Sequence, residues 1–145
     1  MQFTNKVVVI TGGAHGIGKT TKEAFEEEGA IVEVIDIAEG EHYVGDISKK
    51  DVLEAFAKYV IDKHGHVDYL INNALPLMKG INQCSYEEFE YALAVGVTAP
   101  FYLAKLFKDF FAEGACIINI SSSRDRMSQP QTESYTAAKG GISAL

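Results

Sequence analysis

The segment "ESYTAAKGGISAL", residues 133–145, carries Tyr135 and Lys139 four positions apart. Positions i and i+4 lie on the same face of a helix, so the phenol and the ammonium group would share one space. A phenol has a pKa of about 10 in water and is a poor base at neutral pH, but a nearby cation favours its phenolate form. The pair could therefore take up and release a proton.

A serine hydroxyl could complete such a proton-transfer centre. Ser122 lies thirteen positions before Tyr135, directly after the apolar run "CIINIS" at 116–121. Open α/β sheets bind their ligands at the carboxyl ends of the strands, where this hydroxyl could hold a substrate oxygen in line with the phenol. Ser121 and Ser123 offer the same chemistry, and chemistry alone does not choose among the three serines.

The elements that must position these residues follow from the hydrophobic pattern. Short apolar runs rich in β-branched residues alternate with helical patterns, which indicates a parallel sheet covered by helices on both faces. Right-handed crossovers then lead to a doubly wound α/β sheet, the Rossmann fold. The predicted strands are 6–11, 31–36, a brief one within 42–46, 67–72 and 116–121.

The predicted helices carry start and break signals. Ser48 with Asp51, and Ser85 with Glu88, have the spacing of capping boxes. Pro100 lies inside the third helical pattern and predicts a kink or a break there. The predicted helices are about 17–29, 48–65, 86–112, and a last one that begins near residue 133.

Composition limits the class of protein. The 145 residues, 47% of them hydrophobic, suit one domain over 1–145 with its own core. A net charge of −7 argues against a nucleic-acid or anionic-membrane surface, and no apolar run is long enough to span a membrane. We therefore expect a cytoplasmic protein. Cys84 and Cys116 lack metal-ligand spacing, and no metal site is predicted.

The turn after the first predicted strand, "TGGAHGIGKTT", is rich in glycine. Main-chain N–H groups at a helix N-terminus bind phosphate, and glycines let a pyrophosphate approach the main chain closely. Read from Gly13, the letters "GAHGIGKT" also fit the nucleoside-triphosphate pattern G-x-x-x-x-G-K-[ST]. Asp36, at the end of the second strand, could bind Mg²⁺ in that reading or the hydroxyls of an adenosine ribose in a dinucleotide reading.

Together, "TGGAHGIG", Asp36, Asp46, "NNA" at 72–74, Ser122 and "YTAAK" at 135–139 resemble the short-chain dehydrogenase/reductase family, in order and at the family's spacing. The resemblance implies an NAD(P)-dependent oxidoreductase that interconverts a secondary alcohol and a ketone or aldehyde. It selects Ser122 among the three serines, and it implies Ser122, Tyr135 and Lys139 as the catalytic set, with the tyrosine as acid and base. The triphosphate reading explains neither the serine nor "YTAAK".

The resemblance also implies the residues that bind the dinucleotide. Asp46 would meet the adenine ring, Asn73 and Ala74 would line the floor of the site, and Asn72 is expected to be a structural amide. The full set that it implies is Gly12, His15, Gly16, Ile17, Gly18, Asp36, Asp46, Ile47, Asn73, Ala74, Tyr135 and Lys139.

Asp36 bears on the choice of cofactor. A carboxylate that faces the ribose repels a 2′-phosphate and accepts a hydroxyl, so NAD is favoured over NADP. NADP-preferring relatives often carry Arg or Lys where this chain has His15, which is a weaker group and does not reverse the preference. Another adenine dinucleotide without the 2′-phosphate would bind as well.

Two departures from the family pattern keep alternatives open. The family usually has an asparagine, thought to anchor a proton relay, where this chain has Gly96, and a glycine where it has Leu75. The loss of the asparagine suits a non-catalytic dinucleotide-binding regulator. An epimerase or dehydratase of the extended branch is a second alternative, although its glycine turn usually reads G-x-x-G-x-x-G.

The family's domain continues beyond the elements predicted here. We therefore expect this chain to be the N-terminal portion, ending after the fifth strand and the start of the catalytic helix, without the part that selects the small-molecule substrate. By resemblance, the long helix and the Tyr135 helix would pack across the interface of a homodimer or homotetramer.

Overall fold

The computed structural model describes residues 1–145 and contains one parallel sheet with the strand order β3-β2-β1-β4-β5. The predicted doubly wound Rossmann fold is confirmed. The elements are β1 (Val7–Thr11), α1 (Gly16–Glu27), β2 (Ile31–Asp36), β3 (Tyr43–Val44), α2 (Lys50–His64), β4 (Val67–Asn72), α3 (Tyr86–Leu93), a π-helical turn (Ala94–Thr98), α4 (Ala99–Phe107), β5 (Phe111–Asn119), a 3-10 turn (Ser123–Asp125) and α5 (Glu133–Ala144).

The central strand β1 is apolar throughout because both of its faces are covered. Val7 and Val9 pack in the larger core with residues of α2 and α4. Val8 and Ile10 face the other side, where Phe25 of α1 packs against them. The chain order reverses direction across the sheet between β1 and β4, and ligands of such sheets bind at this reversal. No helix combines the length and the apolar character that a membrane crossing requires.

The start of α2 differs from the prediction. The residue before its first turn is Lys49, whose side chain makes no capping hydrogen bond. The predicted capping box of Ser48 and Asp51 is therefore wrong. The Ser48 amide instead donates to the Asp46 side chain, and the Ser48 hydroxyl is buried without a partner. An Asx turn at Asp46 thus moves the helix start beyond Ser48.

The long helix predicted over 86–112 is divided and shorter. Its capping box is confirmed, since the Ser85 hydroxyl accepts from the Glu88 amide and the Glu88 carboxylate accepts from the Ser85 amide. The expected break is also confirmed, but it takes the form of the π-helical turn that directly precedes α4. Pro100 sits in the first turn of α4, directly after the π-helical turn.

β5 also begins earlier than predicted, at Phe111 rather than at residue 116. Gly114, with φ of +77°, bends the strand, and the pairing with β4 shifts register between Val67 and Tyr69. Such a bulge accommodates extra residues in one strand, so a segment that reads as the end of a helix joins the sheet.

Candidate active site

A cavity of about 490 Å³ opens at the carboxyl edge of the sheet, where β1, β2, β4 and β5 end. Every predicted site residue lines it except Gly18 and Ser122. Its lining residues are Gly12, His15, Gly16, Ile17, Ile35, Asp36, Ile37, Gly45, Asp46, Ile47, Asn73, Ala74, Leu75, Tyr91, Val95, Ile120, Ser121, Tyr135 and Lys139.

The glycine turn between β1 and α1 is packed tightly on one side and open on the other. A Cβ on Gly12 would lie 2.7 Å from the Ala74 Cα, and one on Gly18 would lie 2.1 Å from the Gly12 carbonyl oxygen. The Asn73 amide donates to that carbonyl at 2.8 Å and holds the turn in place. A Cβ on Gly16 would meet nothing within 4 Å, so the turn leaves main chain open beside the cavity, as a bound pyrophosphate requires.

Asp36 is held by main-chain donors on both sides. One carboxylate oxygen accepts the Ala14 amide at 2.9 Å, and the other accepts the Ala38 amide at 3.0 Å. Each oxygen keeps a second lone pair that a ligand hydroxyl can use. The carboxylate is therefore fixed beside the glycine turn.

Asp46 and Tyr91 meet on another side of the same cavity. The Asp46 Oδ1 atom accepts the Ser48 amide at 2.9 Å and lies 3.4 Å from the Tyr91 hydroxyl. Burial raises the pKa of Tyr91, and the neighbouring Asp46 carboxylate raises it further. The Tyr91 phenol is thus neutral, and its hydroxyl donates a hydrogen bond to the carboxylate.

Tyr135 and Lys139 share one face of α5, as their spacing predicts. The Lys139 Nζ atom lies 5.6 Å from the centre of the Tyr135 ring and donates to the Ile120 carbonyl at 2.5 Å. Lys139 is 4% exposed, and burial lowers its pKa from the ordinary value of 10.5. A buried ammonium beside a partly buried phenol is an arrangement that can exchange a proton with a ligand.

The three serines after β5 play different parts. The Ser121 hydroxyl approaches the Ser143 hydroxyl at 2.5 Å and the Lys139 carbonyl at 3.4 Å, which ties β5 to α5. The Ser122 hydroxyl accepts the Arg124 amide at 3.2 Å and so caps the 3-10 turn. Ser122 can still donate its own proton, and its predicted contact with a substrate oxygen stays a prediction.

The family model of the short chain dehydrogenases matches residues 6–145. The chain belongs to the short-chain dehydrogenase/reductase family. An uncharacterized oxidoreductase of Thermotoga maritima is 31% identical over an alignment 159 residues long, gaps included, that covers 97% of this chain and 62% of the relative.

Two solved structures of short-chain oxidoreductases have the same fold. An apo SCOR enzyme from Clostridium thermocellum is 40% identical with a TM-score of 0.92, over 98% of this chain and 64% of that one. A metagenomic short-chain oxidoreductase in complex with NADP is 28% identical with a TM-score of 0.91, over 100% of this chain and 74% of that one. The chain thus spans less than two thirds of the Thermotoga and Clostridium proteins.

The position of the family's usual asparagine is closed in this member of the family. A Cβ on Gly96 would lie 2.6 Å from the Ala138 Cβ and 3.2 Å from the Pro76 Cβ. Pro76 and Ala138 therefore fill the space next to the π-helical turn. Lys139 instead has the Ile120 carbonyl as its hydrogen-bond acceptor.

Asn72 has a structural role, as expected, but its partner is a side chain. It is 3% exposed, and its amide donates to the Asn119 Oδ1 atom at 2.8 Å, which joins the ends of β4 and β5. Lys19 and Thr20, the key residues of the triphosphate reading, do not line the cavity. Lys19 pairs with Glu23, and the Thr20 hydroxyl donates to a main-chain carbonyl of α1.

Two residues at the site of this family member escaped the sequence analysis. In the sequence, Tyr91 is an ordinary aromatic residue of an amphipathic helix. Its contact with Asp46, 45 positions away, arises only in the folded structure. Ser134 is fully buried next to Tyr135, and it bonds to the segment after β4. The only available signal was a serine in the first turn of a helix, which is too common to single out a residue.

Proposed function

We propose that the protein is an NAD-dependent oxidoreductase that interconverts a secondary alcohol and a ketone or aldehyde. The observation that carries this proposal is that Asp36, Tyr135 and Lys139 line one cavity together with the glycine turn. The carboxylate that we propose to bind the nucleotide and the pair that we propose to move the proton therefore face the same space. The family's nicotinamide dinucleotide would supply the hydride acceptor or donor when it is bound.

The chain's own residues would do the rest of the chemistry. The glycine turn would hold the pyrophosphate through main-chain N–H groups, and Asp36 would accept the ribose hydroxyls. Tyr135 would move the proton at its phenol oxygen, helped by the ammonium of Lys139. Ser122 would orient the substrate oxygen towards that phenol.

The preference for NAD over NADP rests on Asp36. Both of its oxygens are held by main-chain amides, so the carboxylate cannot swing away from a 2′-phosphate without losing hydrogen bonds. A second cavity beside the same turn is lined by side chains of both charges, Glu23, Glu39 and Glu41 together with Lys19 and Lys22, so the proposed preference depends on the Asp36 carboxylate. The metagenomic relative is in complex with NADP, and titration of this protein with both dinucleotides tests the preference.

We also propose that the intact protein is a homodimer or homotetramer. Large apolar side chains on α3 and α4 are exposed, among them Tyr86 at 73% and Phe101 at 54%. Exposed aromatic side chains on two successive helices suit an interface between copies of the chain, which the resemblance to the family also implies. The light-scattering mass of the intact protein tests this point.

A Tyr135→Phe variant of the intact protein tests the proposed chemistry. We expect NAD to bind both forms with similar affinity in a calorimetric titration, and NADH turnover with a panel of ketones and aldehydes to fall at least about a hundredfold in the variant. Full turnover by Tyr135→Phe would refute the proposal.

A non-catalytic dinucleotide-binding regulator is the second candidate. The closed position at Gly96 favours it, because the family's usual asparagine has no space there. NAD binding by the wild-type protein, without reduction of any carbonyl compound or oxidation of any alcohol in a broad panel, would support this candidate over the first.

A further inference from the structure

The contact between Asp46 and Tyr91 joins the loop after β3 to α3 across the cavity. Both hydrogen bonds to the Asp46 side chain, from the Ser48 amide and from the Tyr91 hydroxyl, end on the same oxygen, Oδ1. The other oxygen, Oδ2, accepts no hydrogen bond from the protein. One carboxylate thus has one oxygen held by the protein and one oxygen left for a ligand.

The surroundings of this carboxylate suit a flat heterocycle. Ile47 and Val95 line the same cavity and are 7% and 6% exposed, while Ile37 lines it and is 65% exposed. These apolar side chains offer contact surface to a ring, whereas the carboxylate can only accept hydrogen bonds. The site therefore favours a base that has a hydrogen-bond donor on its edge.

We propose that Tyr91 is a positioning residue for purine selectivity: it holds Asp46 so that the Oδ2 atom accepts from the exocyclic amino group of an adenine. This inference rests on the proposed dinucleotide site and adds a residue to it. Hypoxanthine carries an oxygen at the same ring position, which a carboxylate repels. Tyr91 thus contributes to the choice of base without touching the base itself.

The test compares NAD with nicotinamide hypoxanthine dinucleotide in the intact protein. Calorimetric titration gives the dissociation constant of each dinucleotide for the wild type and for Tyr91→Phe, which removes only the hydroxyl. The 3.4 Å contact is long for an O–H···O hydrogen bond, so we expect a moderate effect, a loss of about threefold in NAD affinity. The affinity for the hypoxanthine dinucleotide should not fall, because it gains nothing from the held carboxylate, so the ratio of NAD affinity to hypoxanthine-dinucleotide affinity falls by at least about threefold.

Tyr102→Phe is the matched control. The Tyr102 hydroxyl also donates to a carboxylate, that of Glu54 at 2.6 Å, but neither residue lines the cavity. This control should leave both affinities unchanged. Nicotinamide mononucleotide, which lacks the adenosine half, should bind Tyr91→Phe and the wild type equally.

The outcomes separate this inference from the proposed function. Equal losses for both dinucleotides in Tyr91→Phe, or no loss for either, overturn the role of Tyr91 while the dinucleotide site stands. A wild-type protein that binds neither dinucleotide overturns the site, and the role of Tyr91 with it. A selective loss of NAD affinity supports both.

Discussion

Ser134 and Lys79 form a reciprocal pair that fixes the start of the Tyr135 helix. The Lys79 amide donates to the Ser134 hydroxyl at 2.8 Å, and the Ser134 amide donates to the Lys79 carbonyl at 3.1 Å. The same hydroxyl donates to the Leu77 carbonyl at 2.6 Å. The segment after β4 is thereby tied to the residue that precedes the proposed acid and base.

Ser134→Ala should loosen this connection. Two partly buried main-chain groups, the Lys79 amide and the Leu77 carbonyl, lose their partner, which we expect to cost about 1 kcal/mol of the free energy of unfolding in urea titrations. We also expect turnover to fall several-fold, because the Tyr135 helix is less well positioned. Ser128→Ala is the control, since Ser128 is exposed and makes no hydrogen bond within the protein. Equal stability of the two variants would contradict the role of Ser134.

Lys139→Met should abolish turnover but stabilise the fold. Burial lowers the pKa of Lys139 from its ordinary 10.5, so its charge is carried in the folded state at a cost. An apolar side chain of similar length removes that cost, and we expect the free energy of unfolding at neutral pH to rise by about 1 kcal/mol.

The pH dependence of stability distinguishes this cause from a packing effect. Between the lowered pKa of folded Lys139 and 10.5, the unfolded chain binds more protons, so the stability of the wild type rises with pH. The advantage of Lys139→Met is therefore full below that window and shrinks as the pH approaches 10.5. Lys105→Met, which replaces an exposed lysine of α4, should show no such trend. A constant difference between wild type and Lys139→Met across this range would rule out the burial argument.

The order of elements and most of the cavity lining could be predicted from the sequence. Fully apolar strands, glycine turns and capping boxes are local patterns, so Asp36 and Tyr135 could be assigned to their strand and helix ends. Parallel pairing then brings such ends to one edge of the sheet. That is why two residues nearly a hundred positions apart, Asp36 and Tyr135, line one cavity.

What the sequence could not reveal depends on contacts between distant segments. The Ser134 bonds join residues 55 and 57 positions apart, and the Tyr91 contact spans 45 positions. The early start of β5 arises from a bulge opposite β4, which no local pattern signals. The capping box at Ser48 fails because Asp46 offers the Ser48 amide a competing local hydrogen bond.

Asp36→Asn should weaken the discrimination against NADP. The substitution removes the negative charge and leaves the shape, so the repulsion of a 2′-phosphate disappears. We expect the ratio of NADP to NAD affinity to rise at least about tenfold in calorimetric titrations. Asp62→Asn, on the exposed face of α2, is the control and should leave the ratio unchanged. An unaltered ratio in Asp36→Asn would place the discrimination elsewhere.

Glu33→Gln should destabilise the protein only above acidic pH. Burial raises the pKa of Glu33, but hydrogen bonds from Lys63, His64 and Tyr59 outweigh burial and hold that pKa below its ordinary 4.5. A lowered carboxyl pKa contributes stability that is present above 4.5 and is lost as the pH falls through the folded value. We expect a cost of about 2 kcal/mol at pH 7 that vanishes in acid, measured by urea titration. Glu27→Gln, an exposed change on α1, should cost nothing at either pH.

Gly96→Ala should destabilise the protein because the position has no room for a side chain. The new Cβ would lie 2.6 Å from the Ala138 Cβ, so the π-helical turn and α5 must move apart. Overpacking of this kind costs about 1–3 kcal/mol, and the shift of α5 should lower turnover as well.

Gly140→Ala on α5 is the matched control, since its Cβ would meet only the Asp125 carbonyl at 3.5 Å. That change should stabilise the helix by up to about 1 kcal/mol. Equal stability and activity of Gly96→Ala and Gly140→Ala would contradict this packing role. Gly96 would then have no part in the contact between the π-helical turn and the Tyr135 helix.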